Sequence, residues 1–226
     1  MKKKLLVIFS LMMCAIFFTA CGKNNLDLSK FLIEERQTLF TAQDSLYCVS
    51  FSSGKRESNY ALDGVVNEMM DFGILTIARL NSDPMANDTY NYTININEES
   101  YTGTLAKSQI DNSYATDIEV VAPADATVSV SISFTGYTFE SALENTSSQF
   151  QVDSTAALQI ASAELKEGVN NLAKDSKIEA VMKVVKDYST MDAKNYYWYV
   201  GVVSNEGDTL GVLIDANSGA VIAKKV

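Results

Sequence analysis

The sequence predicts an α+β protein, with a β-rich, antiparallel, sandwich-like region over 28–144 followed by a small helix-plus-antiparallel-sheet domain over 152–226. Three observations carry this. Residues 90–96 and 127–134 alternate strictly: Tyr90, Tyr92, Ile94 and Ile96, then Val128, Val130, Ile132 and Phe134, are separated by Asn, Thr and Ser. That is the period of a strand with one face in a core. Ala157, Leu158, Ala161, Leu165, Val169 and Leu172 recur at helical spacing. Beyond them, 196–203 is a strand rich in aromatic and β-branched residues, the composition that favours a pleated surface.

Taken in order, residues 28–44 read as a short leading helix. Leu28, Phe31, Leu32 and Leu39 fall near helical spacing, Asp27 is a candidate cap, and Glu35 interrupts the stripe. From Ser45 to Leu143 the chain reads as short strands between turns. The strands are 46–51, 72–80, 90–96, 101–105, 115–121 and 127–134, a rhythm typical of sandwiches and barrels. Residues 144–151 read as a polar linker. Asp153 caps the helix that follows, and 178–185 fits helix or strand. Residues 196–203, 210–214 and 221–222 are strands joined by turns at Asn205-Glu206-Gly207-Asp208 and Asn217-Ser218-Gly219.

The N-terminus is an address. Lys2, Lys3 and Lys4 precede an apolar run over 5–18, and Thr19-Ala20-Cys21 ends it. A basic start, a short apolar stretch and small residues make a secretion signal, and the stretch falls short of the roughly 20 residues of a spanning helix. The segment resembles the signal and cleavage box of bacterial lipoproteins, with Phe18 bulkier than the Leu usual there. The resemblance implies a signal peptide over 1–20, lipidation of Cys21 with palmitate-type acyl chains, and a tether over 21–27. Gly22 in place of Asp removes the inner-membrane retention signal of Gram-negative lipoproteins. Two acyl chains anchor stably where one does not, so the expected location is the extracytoplasmic face of the cell membrane.

Removing 1–20 takes away three lysines and no acids, which moves the net charge from −10 to −13. That excludes a nucleic-acid partner, which needs a basic footprint. Cys14 leaves with the signal and Cys21 is lipidated, so Cys48 has no disulfide partner and reads as a buried small hydrophobe. Histidine is absent, which removes Ser-His-Asp and Cys-His nucleophiles, His-ligated metals and the usual base near neutral pH.

Residues 152–223 resemble the PepSY domain, a helix-plus-sheet module of secreted and membrane-attached bacterial proteins. The matching pieces are Val152-Asp153 leading into Ala157-Leu158-Gln159-Ile160-Ala161, then Trp198-Tyr199-Val200, then the stretch from Gly211 through Asp215 and Gly219 to Ile222. The resemblance implies a part in the cell envelope and modulation of peptidases. Asp215 and Gly219 read as turn residues, one bonding backbone amides and the other taking a positive φ.

Other chemistry finds little support. The pairs Glu34-Glu35 and Glu98-Glu99 point apart on any regular element. Asp83 and Asp88 lack the spacing and closing Glu of a calcium loop. Neither a phosphate cradle nor a Cys-x-x-Cys pair is present. In Tyr196-Tyr197-Trp198-Tyr199, Trp198 falls on one face of the strand, and Tyr197 and Tyr199 on the other. The expected function is a non-catalytic, lipid-anchored envelope protein binding a protein or peptide partner, with no cofactor and no metal. The alternatives are a glycan-binding adhesin and a hydrolase that works without histidine.

Overall fold

The structure is a computed structural model and describes residues 26–58, 61–80, 85–109, 112–186 and 195–226. Its strands are β1 (Leu32–Gln43), β2 (Tyr47–Glu57), β3 (Met69–Arg79), β4 (Tyr90–Ile96), β5 (Glu99–Lys107), β6 (Ser113–Ile118), β7 (Val128–Phe134), β8 (Tyr137–Asn145), β9 (Ile178–Lys186), β10 (Tyr196–Ser204), β11 (Thr209–Asp215) and β12 (Val221–Lys225). Among the described residues the one α-helix, α1, spans Ser154–Asp175.

All the strands join one sheet in the order β12-β11-β10-β9-β1-β2-β3-β6-β5-β4-β7-β8, and β8 returns to pair with β1. The last eight strands in that order therefore form a closed antiparallel barrel, with β9–β12 growing from it as extra strands. This corrects the predicted α+β class and its sandwich followed by a helix-plus-sheet domain: the described structure is mostly β, a closed barrel with extra strands and one helix. Two seams convert the expected open sheets into a barrel. Ala106 and Lys107 pair with Ala115 and Tyr114, and Phe40 and Thr41 pair with Asn145 and Glu144. Alternating strands read the same in either architecture, and these few long-range pairs decide it. The C-terminal strands likewise continue the barrel sheet, because β9 lies parallel to β1.

Strand β1 is the joint. Its first half pairs with β9 (Leu32↔Ala180, Glu34↔Val181, Glu35↔Met182, Arg36↔Lys183), and its second half pairs with β8. Between the halves a β-bulge against β2 leaves Gln37 unmatched, with Arg36 opposite Gly54 and Thr38 opposite Ser53. Bulges bend a strand and increase its twist, which turns one edge from β9 toward β8. Gly54 permits the approach: a Cβ there would lie 1.9 Å from the Glu35 carbonyl oxygen.

Where helical spacing predicts a helix over 28–44, only Leu28–Phe31 forms a 3-10 turn, capped by Asp27, and Leu32 begins β1. With a strand on each side, β1 buries residues without a clean period of two, so its pattern mimics a broken helical stripe. The polar run over 144–151 supplies the end of β8 and a 3-10 turn, Ser147–Gln149. Thr146 is buried and its hydroxyl lies 2.7 Å from that of Thr41.

Two cores result. The barrel core is aromatic-rich, with Phe40, Phe51, Tyr90, Tyr114 and Phe139 among Val49, Leu75, Ile77, Ile94, Val130 and Ile132. The second core packs Ala157, Ala161, Leu165 and Val169 of α1 on Met182, Trp198, Val200, Val212 and Ile214. Asp153 caps α1 by accepting from the Ala156 amide at 2.8 Å, and the Trp198 indole donates to the Val152 carbonyl at 2.8 Å. Burying an indole demands such a partner.

Candidate functional site

The sequence-predicted site, Cys21, and the signal peptide before it lie outside the described residues, as does Asp83. Among the described residues no helix is long and apolar enough to cross a membrane, and no group of three or more Cys, Asp or Glu can hold a metal ion.

The other sequence candidates resolve into structural roles. Cys48 is buried. Burial pushes its thiol upward in pKa, against the opposing pull of the Lys186 ammonium 3.3 Å away. Glu34 pairs with Arg36 at 2.9 Å. Glu99 accepts from the Tyr101 hydroxyl. Asp88 accepts from the Thr135 and Thr89 amides, and the Thr135 side chain first, with these amides, holds its carboxyl below the usual range. Asp215 accepts from the amides of Ser218 and Asn217 and from the Ser218 hydroxyl, and these bonds hold it low despite an opposing burial penalty. Gly219 takes φ of 73° as the turn requires.

What remains is at the far end of the sheet. Among the described residues β12 pairs with β11 alone, and all five of its residues are exposed. Val221 and Ile222 stand in solvent at 38% and 53% exposure. Lys224 reaches Glu164 of α1 at 3.3 Å, and Lys225 reaches the Thr209 hydroxyl. Beside this edge lies a groove of about 340 Å³ lined by Tyr199, Thr209, Gly211, Leu213, Ala223 and Lys225, among others.

Gly211, which lines the groove, faces Gly201 across β11 and β10. Tyr199 covers them: a Cβ on Gly201 would meet the Tyr199 hydroxyl oxygen at 2.6 Å, and one on Gly211 would meet the ring at 3.3 Å. The tyrosine ring thus lies over a glycine floor, on the face opposite Trp198, as strand alternation requires.

Sequence reasoning missed the groups that hold the rest of this face. Glu179 is fully buried and accepts from the Asp63 and Gly64 amides at 3.0 and 3.1 Å, fastening the β2–β3 connection. Glu57, also buried, accepts from the Asn67 amide. One oxygen of each carboxylate has no hydrogen-bond partner among the described residues. Arg36 and Lys183, side by side in the β1–β9 register, carry no motif; only the non-local pairing of two distant segments unites them. Comparison with family models, curated proteins and solved structures yields no match, so the functional reading rests on this geometry and on the residues themselves.

Proposed function

We propose that this chain is a lipid-anchored, non-catalytic protein of the cell envelope that binds an extended segment of a protein or peptide partner along β12. The carrying observation is the open edge. β12 offers its unpaired side with every residue exposed and with Val221 and Ile222 available for contact. Edge strands recognise extended segments through backbone hydrogen bonds, and side-chain pockets add specificity. Lys224 and Lys225 discourage pairing between two copies of the edge. The PepSY resemblance of 152–223 makes an envelope peptidase the first partner to test, and Cys21 with the segment before it supplies the anchor.

A photo-crosslinking residue at Ile222 of the membrane-anchored chain tests the reading. The expected result is a discrete protein adduct from position 222, with none from the exposed Gly136 turn between β7 and β8. No protein adduct from either position, together with retention on purified cell-wall glycan, would sink the peptide reading in favour of the adhesin. For the anchor, Cys21→Ser should abolish lipidation; a variant still processed and membrane-held like the parent would remove that assignment.

A further inference from the structure

The register of the sheet sets one row of side chains across six strands: Gly54 of β2, Arg36 of β1, Lys183 of β9, Tyr199 of β10, Leu213 of β11 and Ala223 of β12. Two neighbours in this row, Arg36 and Lys183, are cationic, Leu213 and Ala223 beyond them are apolar, and Tyr199 stands between the two pairs. Arg36 is 9% exposed, yet its only hydrogen-bond partner among the described residues is Glu34, through Nε. Its guanidinium lies 5.9 Å from the Phe72 ring, where Arg56 also stacks at 4.6 Å. Arg56 in turn is paired with Asp117. Lys183 has no carboxylate within ion-pair distance among the described residues, and its ammonium stands 5.6 Å from the centre of the Tyr199 ring.

Among the described residues the charges therefore do not close. Arg56 has Asp117 and Arg36 has Glu34, which leaves Lys183 beside Arg36 with no anion of its own. Like charges directly across a strand pair are destabilising. Burial and the neighbouring Arg36 push the Lys183 ammonium below its ordinary pKa range, with Glu34 opposing. In a chain of net charge −10, buried Arg36 and half-buried Lys183 thus lie side by side next to an apolar groove.

We infer that Arg36, Lys183 and Tyr199 form a receptor for a carboxylate whose attached apolar chain crosses Tyr199 into the groove over Gly211. The single uncompensated positive charge matches a monoanion, whereas a phosphate near its dianionic form exceeds it. Arg36 brings a planar fork suited to two carboxylate oxygens, and Lys183 brings a point charge. The span from Lys183 to Ala223 is three strand spacings, about 14 Å, so a chain of several carbons or an extended acidic peptide reaches the groove. The receptor lies on the face of the sheet rather than along the β12 edge, so it stands or falls apart from the edge-pairing reading.

Titration calorimetry on the full chain, kept free of lipid by Cys21→Ser, tests it with two matched pairs of probes. One pair is octanoate and octanamide; the other is a blocked apolar hexapeptide carrying one Glu and the same peptide carrying Gln. The expected result is that at least one charged probe binds about 10-fold or more tightly than its neutral twin, a charge-assisted contact. The tighter of the two charged probes assigns the source, free fatty acid or acidic peptide. Lys183→Gln should erase the discrimination, and Lys183→Arg should retain it. Equal affinity of charged and neutral twins, no binding by either pair, or discrimination that survives Lys183→Gln would overturn the receptor.

Discussion

The barrel and the sheet that grows from it share β1 but treat their edges in opposite ways. In the barrel, β8 returns to β1 and the core fills with large aromatic side chains. In the extension, the strands run outward to β12, whose far side pairs with nothing among the described residues, and the core beneath α1 is built of small and aliphatic residues around Trp198. Closure removes the unpaired backbone groups that invite association; an open edge keeps them. The difference assigns labour within one sheet. The barrel supplies rigidity, and the extension presents a strand edge, a groove and an unbalanced cation pair. Because Arg36 sits at the bulge where β1 changes partners, the cationic end of the proposed receptor is built at the joint of the two regions.

The largest effects should come from the two cores. Phe51 is fully buried and its ring fills the space a Cβ on Gly73 would occupy; Phe51→Ala should cost about 3–5 kcal/mol. Leu165, fully buried under the sheet, should cost about 2–5 kcal/mol as Leu165→Ala. Denaturant unfolding followed two ways then sharpens the comparison. Trp198 is the chain's only tryptophan, so its fluorescence reports the extension. Near-ultraviolet dichroism of the barrel tyrosines, such as the Tyr90–Tyr114 pair with centroids 4.1 Å apart, reports the barrel. With one continuous sheet, either substitution should move both transitions together. A shift confined to the mutated half would show that the two regions unfold separately.

A smaller effect is expected at the joint itself. Gly54→Val places side-chain carbons against the Glu35 carbonyl, where even a Cβ would lie at 1.9 Å. The bulge must open, at about 1–3 kcal/mol or somewhat more. Here the two signals should come apart, because the change displaces the half of β1 that carries β9, the strand joining extension to barrel, and spares both cores. Coincident transitions in this variant would mean that coupling runs through some other contact.

What the sequence made legible follows from locality. β4 and β7 are half-buried with regular alternation, so Tyr90–Ile96 and Val128–Phe134 were readable residue by residue, and α1 was announced by its cap and stripe. β1 was not, because pairing on both edges and a bulge at Gln37 scramble its period. The closing seam was hidden in a polar run, where Thr146 and Ser147 look like linker residues and act by bonding Thr41 and the Leu39 amide. The groove was half visible: Tyr199 was placed on the face opposite Trp198, but its glycine floor needs the β10–β11 register. Arg36 and Lys183, far apart in sequence, become neighbours only through a parallel pairing that no local pattern encodes.

The smallest expected effect concerns how the barrel stays shut. The seam between β1 and β8 has only two residue pairs, and beyond it Tyr137 of β8 donates its hydroxyl hydrogen bond to Asp44, just past the end of β1. Asp44 also accepts from the Leu46 and Tyr47 amides at 2.6 and 2.7 Å. Burial works against the Asp44 carboxylate, but these three donors outweigh it and hold the group below its ordinary range. The same bond pushes Tyr137 up to about 12. A carboxylate with a depressed pKa in the folded state contributes stability above its unfolded value, near 4, and loses it as pH falls through the folded value. Asp44 is half-exposed, so solvent screening holds that contribution to about 1 kcal/mol. Asp44→Asn should therefore lower stability by about that amount at pH 6, and the gap to the parent should narrow as pH falls below the unfolded value near 4 toward pH 2. Thermal melts at the two pH values measure it. A gap that persists unchanged into acid would assign the latch to side-chain shape rather than charge, and the barrel would then owe its closure to packing alone.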